Sequence, residues 1–508
     1  MRGRRADGEP LGGMRSLFSV LTRGLGFLAL IGLGVVLVYG LVLGVRIVTY
    51  ESADDAVHVE RKKRYLAGLA AGRDDPTGPR PNLVLILFDD LGYGDLGAYG
   101  AGSIETPNLD RLAENGLRLE HYYAPSPVCT SSRVGLLTGR YPERALLNIV
   151  AFPTGHPMEW ALRAQGVPAT RVAEEEILLP EILSAAGYAT GMVGKWHLGD
   201  RSPSLPLDRG FDSYLGALYS NDMTPFALHR DGEVAYEAPF DQTRMKQVYE
   251  DAAVEFLDRD HDRPFFLYFA HNFPHIPLFR PAEDVGRSDA GLYGDVVEGL
   301  DDSVGRILEV LARRDLLEDT IVIATSDNGP WYEGSPGMNR GRKNQTWEGG
   351  QRVPFLVHWP ARIAPGRESD APIGGVDLVP TLLSLLALPP PPDRVLDGID
   401  VGAHLFDGAP ADDRLLYYYG MTQGGNGGGL DAVRDARFKY HRRRGVRAGG
   451  TERFSANADM GPWLFDLEQD PNESWDVSTR HPVAMARLAA AFEARVREDA
   501  SNPRGWID

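Results

Sequence analysis

The sequence predicts an α/β protein with a mainly parallel β-sheet flanked by helices, followed by a smaller antiparallel sheet with one helix. Three continuous apolar runs, at residues 83–88, 264–270 and 320–325, are typical of strands buried on both faces of a sheet. Helical patterns lie between the runs, and this alternation favours parallel strands. Ligands of such sheets bind beyond the carboxyl ends of the strands. Polar residues follow all three runs at that end, so the sequence predicts one shared site there.

Helices are predicted at residues 108–115, 178–186 and 293–314. The longest of them carries apolar side chains with a period of about 3.6 residues. These are Val296, Val297, Leu300, Val304, Ile307 and Leu308. Such a stripe indicates an amphipathic helix.

The C-terminal part has a different pattern, which begins at a proline run. It contains short strand-like pieces at 415–419, 432–440 and 463–467 and a terminal helix at about 482–498. The chain is therefore divided into an N-terminal segment (1–50), a charged and polar linker (51–80), a large domain (81–390) and a small α+β subdomain (391–508).

Composition argues against one class of function. The chain has 508 residues and a formal net charge of −18, so no basic surface dominates it and a nucleic-acid partner is not expected. A small anionic ligand remains compatible, because its site needs only a few local cations. The single cysteine, Cys129, allows no intrachain disulfide, and its presence needs another explanation.

An uncharged apolar run at residues 24–45, bounded by Arg23 and Arg46, predicts a transmembrane anchor. A helix of about 22 residues spans roughly 33 Å, enough for a hydrocarbon core of about 30 Å. A cleaved signal peptide would have a shorter apolar region and a small-residue cleavage site, and neither is evident. Basic residues flank the run on both sides, so charge does not decide its orientation.

Two polar pairs that follow predicted strands favour a metal site. Asp89 and Asp90 follow the first apolar run, and Asp327 and Asn328 follow the third. Adjacent carboxylates at a strand end repel each other unless a cation lies between them. One such pair is usually solvated, but two pairs that each close a buried strand favour a divalent ion. Their oxygens suit a hard cation such as Ca²⁺ or Mg²⁺.

Cys129 lies in the segment SPVCTSSR at residues 126–133. A lone cysteine is most often a small buried apolar side chain. Here it opens a polar loop before a predicted helix, with Arg133 four residues further on. Backbone N–H groups at the start of a helix favour anions, so this setting indicates a reactive site.

At this segment the chain resembles the sulfatases of the alkaline phosphatase superfamily, and their arylsulfatase-like branch in particular. The family signature is C-x-P-S-R or C-x-A-x-R, followed by T-G-R. This chain has CTSSR at 129–133 and TGR at 138–140. It departs from the signature at Ser131, where the family has Pro or Ala. That loop is read by the enzyme that oxidises the cysteine to formylglycine.

Further segments match the same family in its usual order. They are PN and DDLG in 81–92, GMVGKWHLG at 191–199, YSND at 219–222, HNFPH at 271–275, SDNG at 326–329, GRK at 341–343 before WEGG at 347–350, and LFDL at 464–467 with DP at 470–471. Each segment is a weak signal alone. Together and in order, they imply an alkaline phosphatase-like fold with a small C-terminal domain.

The resemblance implies a nucleophile and a cofactor. Cys129 would be converted to formylglycine, whose hydrated aldehyde attacks sulfur with the assistance of one Ca²⁺. An oxygen of residue 129 would complete the shell of that ion, and the other ligands would be Asp89, Asp90, Asp327 and Asn328.

The resemblance also implies roles for the basic residues around the nucleophile. Arg133 and Lys195 would orient the diol and offset the charge around it. Lys343 and Ser220 would bind sulfate oxygens. His275 would contact the substrate and protonate the leaving oxygen.

After sulfate transfer, His197 would take a proton from the second hydroxyl of the diol, so that sulfate is expelled. The substrate would be a small-molecule or saccharide sulfate ester, and a formylglycine-generating enzyme would be the maturation partner. By the same analogy the catalytic domain, residues 81–390, is expected outside the cytoplasm (periplasmic, extracellular or lumenal) on a single-pass anchor.

Two other functions remain open at this stage. A phosphomonoester or phosphonate hydrolase of the same superfamily would use the same metal and cations. A catalytically silent, membrane-anchored binding protein would keep the fold; Ser131 favours it, whereas the complete metal and cation sets argue against it. Residues 152–165, 331–340 and 424–429 resemble loops and are predicted at the rim of the pocket.

Overall fold

A computed structural model describes residues 12–52, 54–73, 80–420, 429–442 and 461–507. The helices in these ranges are α1 (Gly12–Val48), α2 (Ala56–Gly72), α3 (Pro107–Glu114), α4 (Cys129–Thr138), α5 (Pro157–Gln165), α6 (Leu179–Ala185), α7 (Met245–Leu257), α8 (Gly291–Arg313), α9 (Glu348–Gln351), α10 (Leu378–Leu385), α11 (Gly402–Asp407) and α12 (Pro482–Ser501). The helices predicted at 108–115, 178–186 and 293–314 are α3, α6 and α8.

The strands in the same ranges form three sheets. They are β1 (Asn82–Phe88), β2 (Leu117–Leu119), β3 (Tyr122–Tyr123), β4 (Ala189–Gly194), β5 (Ser213–Gly216), β6 (Leu228–Arg230), β7 (Glu233–Tyr236), β8 (Phe265–Ala270), β9 (Thr320–Ser326), β10 (Phe355–His358), β11 (Arg367–Ser369), β12 (Ile373–Gly374), β13 (Leu416–Gly420), β14 (Gly429–Arg434), β15 (Phe438–His441) and β16 (Trp463–Asp466).

The large sheet has the strand order β11-β2-β10-β9-β1-β8-β4-β5-β6-β7. The consecutive strands β9, β1, β8, β4 and β5 at its centre are parallel. The pairs formed by β10 with β9 and β2, and by β6 with β5 and β7, are antiparallel. The three apolar runs are β1, β8 and β9, which lie side by side, and every residue of β8 and β9 is buried. The predicted mainly parallel sheet is confirmed.

Hydrophobic cores cover both faces of this sheet, because successive residues of a strand point to opposite faces. Leu83, Leu85 and Leu87 of β1 pack with residues of α4, α6 and α10 on one face. Val84 and Ile86 pack with α3, α7 and α8 on the other face. The predicted apolar stripe of α8 lies in this second core. The sheet is therefore rigid up to the strand ends that carry the polar pairs.

The C-terminal sheet has the order β13-β14-β15-β16 with antiparallel pairs, and α12 packs on β14 and β15. The predicted small antiparallel sheet with one helix is confirmed. One detail differs, because the piece predicted at 432–440 is two strands. They are joined by a turn in which the Asp435 carboxylate accepts hydrogen bonds from the N–H groups of Arg437 and Phe438.

The segment 51–80 was predicted to be a linker, but it contains the helix α2. Asp55 caps this helix and Val59 is buried. The ammonium group of Lys62 is also buried, 2.5 Å from the Glu181 carboxylate. The prediction was wrong here because a charged residue with a distant buried partner looks, in sequence, like a solvated one.

The N-terminal helix α1 contains a stretch, Leu30–Val48, that is long and apolar enough to cross a membrane, and none of this stretch is buried. The end of α1 packs on α5, although residues 152–165 were predicted to be a loop. His156 caps α5, Pro157 occupies its first turn, and Gly166 ends it in a left-handed conformation. The loop predicted at 424–429 lies outside the described residues except for Gly429.

Candidate active site

The carboxyl ends of adjacent strands bring the two polar pairs together. Asp89 and Asp90 follow β1, and Asp327 follows the neighbouring strand β9. The ligand atoms of these residues and of Cys129 all lie within 4.8 Å of one another, and all four residues are buried. Asp90 has a φ of 70°, which is uncommon for a non-glycine residue, and its N–H donates to Asp327 Oδ1 over 3.2 Å. This hydrogen bond holds the two strand ends in register.

Cys129 is the first residue of α4, and its Sγ lies 4.0 Å from Asp90 Oδ1. Burial, and then the negative charge of Asp89, raise the pKa of this thiol. The side chain is therefore a neutral thiol at neutral pH, which is a weak nucleophile.

Two buried cations hold the carboxylates. Arg133 Nε and Nη2 are each 2.9 Å from Asp327 Oδ2, and its Nη1 donates to the Lys195 carbonyl over 2.6 Å. Lys195 Nζ is 2.5 Å from Asp89 Oδ2. Burial acts to raise the pKa of Asp89, but Lys195 and then His275 outweigh it and hold that pKa well below its usual value. Burial, and then Asp89, raise the pKa of Asp327 to about 7.

The oxygens of the cluster fit a hard cation. Asp89 Oδ1 and Asn328 Oδ1 are buried and have no hydrogen-bond partner among the residues that the structure describes. The other end of the Asn328 amide donates to Asp90 Oδ1 over 2.7 Å. Unpartnered carboxylate and amide oxygens beside further carboxylates are the donors that Ca²⁺ takes. The cluster thus meets the chemical requirements of the predicted metal site.

Lys343, Ser220 and His275 line the other side of the cluster. Lys343 Nζ is 2.8 Å from Asp90 Oδ1 and 2.8 Å from Oδ2. The Ser220 hydroxyl accepts a hydrogen bond from Lys195 Nζ over 2.9 Å and lies 3.4 Å from His275 Nε2. Burial, and then the charge of Lys343, lower the pKa of His275. These groups place hydrogen-bond donors beside the carboxylates, as a site for an anion requires.

His197 is connected to the segment of Cys129 through Ala151. Its Nε2 lies 3.0 Å from the Ala151 carbonyl, and the N–H of Ala151 donates to Thr130 Oγ1 beside Cys129. Burial, and then Lys195, lower the pKa of His197 well below its usual value. The ring is therefore neutral, with its proton on Nε2 toward the carbonyl, so Nδ1 can accept a proton.

Residues that support the site were missed by the sequence interpretation. Ser326 accepts a hydrogen bond from the N–H of Leu91 (2.9 Å) and donates to the Asn328 carbonyl (3.0 Å), so it links the two turns that carry the predicted metal ligands. Ser326 lies within the SDNG segment at residues 326–329, so this motif could have indicated its role. Lys439 donates to the Thr346 carbonyl (2.9 Å) close to Lys343. It comes from the C-terminal sheet, and no sequence pattern indicates it.

Comparison with known proteins identifies the family. The family described as Sulfatase matches residues 81–388. The chain belongs to the sulfatase family. N-acetylgalactosamine-6-sulfatase of Rattus norvegicus is 37% identical over 471 residues, covering 84% of this chain and 86% of that relative. Arylsulfatase A of Homo sapiens is 36% identical over 457 residues, covering 81% and 85%.

A solved structure agrees with this assignment. The PsFucS1 sulfatase from Pseudoalteromonas sp. superposes with a TM-score of 0.71 at 28% identity, covering 89% of this sulfatase and 96% of that chain. The predicted alkaline phosphatase-like fold and the prediction of a sulfuric ester hydrolase are confirmed. The predicted roles of single residues stay predictions.

Proposed function

We propose that this sulfatase hydrolyses sulfate esters with a formylglycine made from Cys129 and with one bound Ca²⁺. The observation that carries the proposal is the buried cluster of Asp89, Asp90, Cys129 and Asp327, which lies between buried cations. The proposed maturation partner is an enzyme that reads residues 126–133 and oxidises the thiol.

The chemistry of the donor set supports conversion of Cys129. Its sulfur is a soft atom within a cluster of hard carboxylate oxygens, and Ca²⁺ prefers oxygen. A buried thiol with a raised pKa also makes a weak nucleophile. Replacement of the sulfur by oxygen removes both disadvantages.

In this proposal a hydrated aldehyde at residue 129 would supply the hydroxyl that attacks sulfur, and Ca²⁺ would supply positive charge for the sulfate oxygens. Arg133 holds the Asp327 carboxylate and the Lys195 carbonyl, so it fixes two sides of the site at once. The ion would be held by Asp89, Asp90, Asp327, Asn328 and an oxygen of residue 129.

The sulfate group would be bound by Lys343 and Ser220, whose polar atoms already face the carboxylate cluster. His275 would donate a proton from Nε2 to the leaving oxygen, while its Nδ1 lies 2.5 Å from the Ile276 carbonyl. A bound sulfate ester is anionic and would favour the protonated imidazole, which offsets the lowered pKa. His197 would then accept at Nδ1 the proton of the second hydroxyl of the diol, so that the bond to sulfate breaks and the aldehyde is restored.

The proposed substrates are small-molecule or saccharide sulfate esters. The substrate in the name of the relative N-acetylgalactosamine-6-sulfatase supports a sulfated sugar. The nearest alternative is hydrolysis of phosphate or phosphonate esters at the same site. Rates for a matched aryl sulfate and aryl phosphate separate the two, and we expect the sulfate ester to be cleaved at least about tenfold faster, a difference of about 1.4 kcal/mol in transition-state stabilisation.

Removal of the metal is expected to abolish turnover. Treatment with a chelator should reduce hydrolysis of an aryl sulfate to background, and added Ca²⁺ should restore it. Asp327→Asn should lower kcat/KM at least about a hundredfold, because it removes a charged ligand and the partner of Arg133. Asp260→Asn is the matched control, because the Asp260 side chain is fully exposed. Near-normal turnover by a folded Asp327→Asn variant would contradict the metal assignment.

The helix α1 is proposed to anchor the protein in a membrane, with the catalytic domain on the extracytoplasmic side. The full-length protein should remain with membranes during carbonate extraction, and a variant that lacks residues 24–45 should be released. The physical reason is the exposed apolar stretch Leu30–Val48 of α1. A full-length protein that is soluble without detergent, or whose N-terminus starts downstream of α1, would refute the anchor.

A further inference from the structure

The active site is open to solvent on the side of Lys343 and His275. Each of these two side chains is 10% exposed, whereas those of Asp89, Arg133 and Lys195 are fully buried. A substrate that reaches the carboxylate cluster therefore passes Lys343 and His275. The residues beside these two side chains are placed to contact the part of the substrate that lies beyond its sulfate group.

Residues 331–340, which the sequence predicts at the rim of the pocket, begin with a turn (331–334) that is held against the segment of Lys343. The Pro330 carbonyl accepts a hydrogen bond from the N–H of Lys343 over 3.0 Å. Arg342 Nη1 donates to the carbonyls of the first and last residues of the turn, over 2.7 and 2.6 Å. The turn therefore lies directly beside the lysine that is proposed to bind sulfate.

The same turn is also fixed, through Asp95, to the end of β1 that carries the predicted metal ligands. Asp95 is buried, and its Oδ1 accepts a hydrogen bond from the N–H of Ser335, the residue after the turn, over 2.8 Å. Its Oδ2 accepts the N–H of Gly92, two residues after Asp90, over 2.7 Å. The backbone of the turn therefore has a fixed position relative to the carboxylate cluster.

Tyr332 is the exposed aromatic residue of this turn. It is 69% exposed, and its ring meets the ring of half-buried Trp331 edge-on, with 5.0 Å between the ring centres. The central carbon of the Arg342 guanidinium lies 5.5 Å from the centre of the Tyr332 ring. A tyrosine has only two side-chain torsions, so a ring with such contacts loses little conformational freedom when a ligand covers it. Tyr332 thus offers a pre-positioned ring surface beside the open side of the site.

We infer that Tyr332 is the stacking platform of a saccharide subsite, on which the sugar ring of the substrate lies while its sulfate group contacts Lys343. This inference rests on the proposed sulfatase reaction. The C–H face of a pyranose is apolar and stacks on an aromatic ring, whereas its hydroxyl groups need polar partners. Such partners are adjacent, because Arg342 contacts the ring and exposed Glu333 follows it in the turn. A lipid or steroid portion would instead require a continuous apolar surface, which these charged neighbours interrupt.

The subsite is tested by calorimetry without an activity measurement, with full-length Cys129→Ala protein in detergent and Ca²⁺. Tyr332→Ala in this background should raise the Kd for N-acetylgalactosamine 6-sulfate about tenfold, because it removes the stacking ring. It should change the Kd for inorganic sulfate, which has no sugar ring, less than about twofold. Tyr332→Phe keeps the ring and should recover most of the loss. Equal weakening of both ligands would assign Tyr332 to the positioning of Lys343, and unchanged binding of both would rule out the contact; either result overturns the subsite.

The role of the subsite in turnover is tested with the active full-length enzyme. Tyr332→Ala should raise KM for the same sugar sulfate about tenfold and change kcat less than about twofold, because stacking is equal in the ground state and the transition state. Val483→Ala, at an exposed position on α12, is the control and should leave both constants unchanged. A wild type that cleaves an aryl sulfate but not the sugar sulfate would refute the saccharide substrate. A wild type that cleaves neither would contradict the proposed function, and the calorimetric result would still decide whether the subsite exists.

Discussion

A Cys129→Ala variant is expected to hydrolyse an aryl sulfate at least about a thousandfold more slowly than the wild-type enzyme, because it removes the nucleophile. The variant should still fold. Cys129 is 2% exposed, and its contact with the carboxylate cluster is a distant one of 4.0 Å to Asp90. Its unfolding midpoint should therefore stay close to that of the wild type. A loss of rate without a loss of stability identifies a chemical role for this side chain.

The mass of the peptide that contains Cys129 distinguishes the two forms of the nucleophile. Oxidation of the thiol to an aldehyde loses the sulfur, so the peptide should be lighter by about 18 Da and react with hydrazides instead of alkylating agents. A fully active enzyme with an unmodified thiol would rule out the formylglycine mechanism. The fold and the proposed metal site would be unaffected in that case.

Ser131 sets the expected extent of this conversion. Its side chain is buried, with the hydroxyl 3.0 Å from the carbonyls of Leu147 and of Ile149. The N–H of Ser132 donates to the Val128 carbonyl, so Ser131 lies in the first turn of α4, where a backbone N–H has no intrahelical acceptor. Proline is therefore compatible with the helix at this position. We expect partial conversion in the wild type, and a higher converted fraction in Ser131→Pro, from quantitative mass spectrometry.

Much of the site could be predicted from sequence because its signals are local. An apolar run that ends in a polar pair indicates a buried strand and also marks the edge of the sheet at which that strand ends. The rule that parallel strands end at one edge then brings Asp89 and Asp327 together, although they lie far apart in the chain. The hydrogen bond from Asp90 N–H to Asp327 Oδ1 is the structural result of that rule.

The parts that could not be predicted depend on distant partners. Lys62 looked like part of a solvated linker, yet its ammonium group pairs with Glu181 in the interior. The helix α5, which lies in the predicted loop 152–165, is a different case, because local residues stabilise it: His156 caps its start and the left-handed Gly166 ends it. Ion pairs between residues that are far apart in sequence have no periodicity, so composition alone cannot reveal them.

Another of these buried ion pairs connects the C-terminal sheet to the segment that follows Lys343. Lys439 is fully buried, with Nζ 3.0 Å from Glu348 Oε1 and 2.9 Å from Glu473 Oε1. The Glu473 carboxylate also accepts the N–H of Glu348 over 2.8 Å. Burial raises the pKa of Glu473 to about 7, although the charge of Lys439 acts to lower it. This carboxylate therefore depends on the lysine for its ionised form.

Lys439→Met is accordingly expected to destabilise the folded protein by about 3–5 kcal/mol, because it leaves buried carboxylates without their cation. The folded-state pKa of Glu473 should rise further above its unfolded value. The folded state then binds a proton more tightly than the unfolded state, and stability falls as pH rises. The deficit relative to wild type should be larger at pH 8 than at pH 5.5, which denaturant unfolding at the two pH values measures.

Two further variants make this prediction specific. Lys63→Met removes an exposed ion pair with Glu60; the two side chains are 61% and 65% exposed, so the free energy of unfolding should stay close to that of the wild type. Lys439→Met/Glu473→Leu removes a buried charge of each sign and should recover part of the loss, most clearly at pH 8. If Lys439→Met were as stable as Lys63→Met at both pH values, Lys439 would not be the residue that joins the C-terminal sheet to the Lys343 segment. If the double variant were less stable than Lys439→Met, the loss would arise from packing and not from unpaired charge.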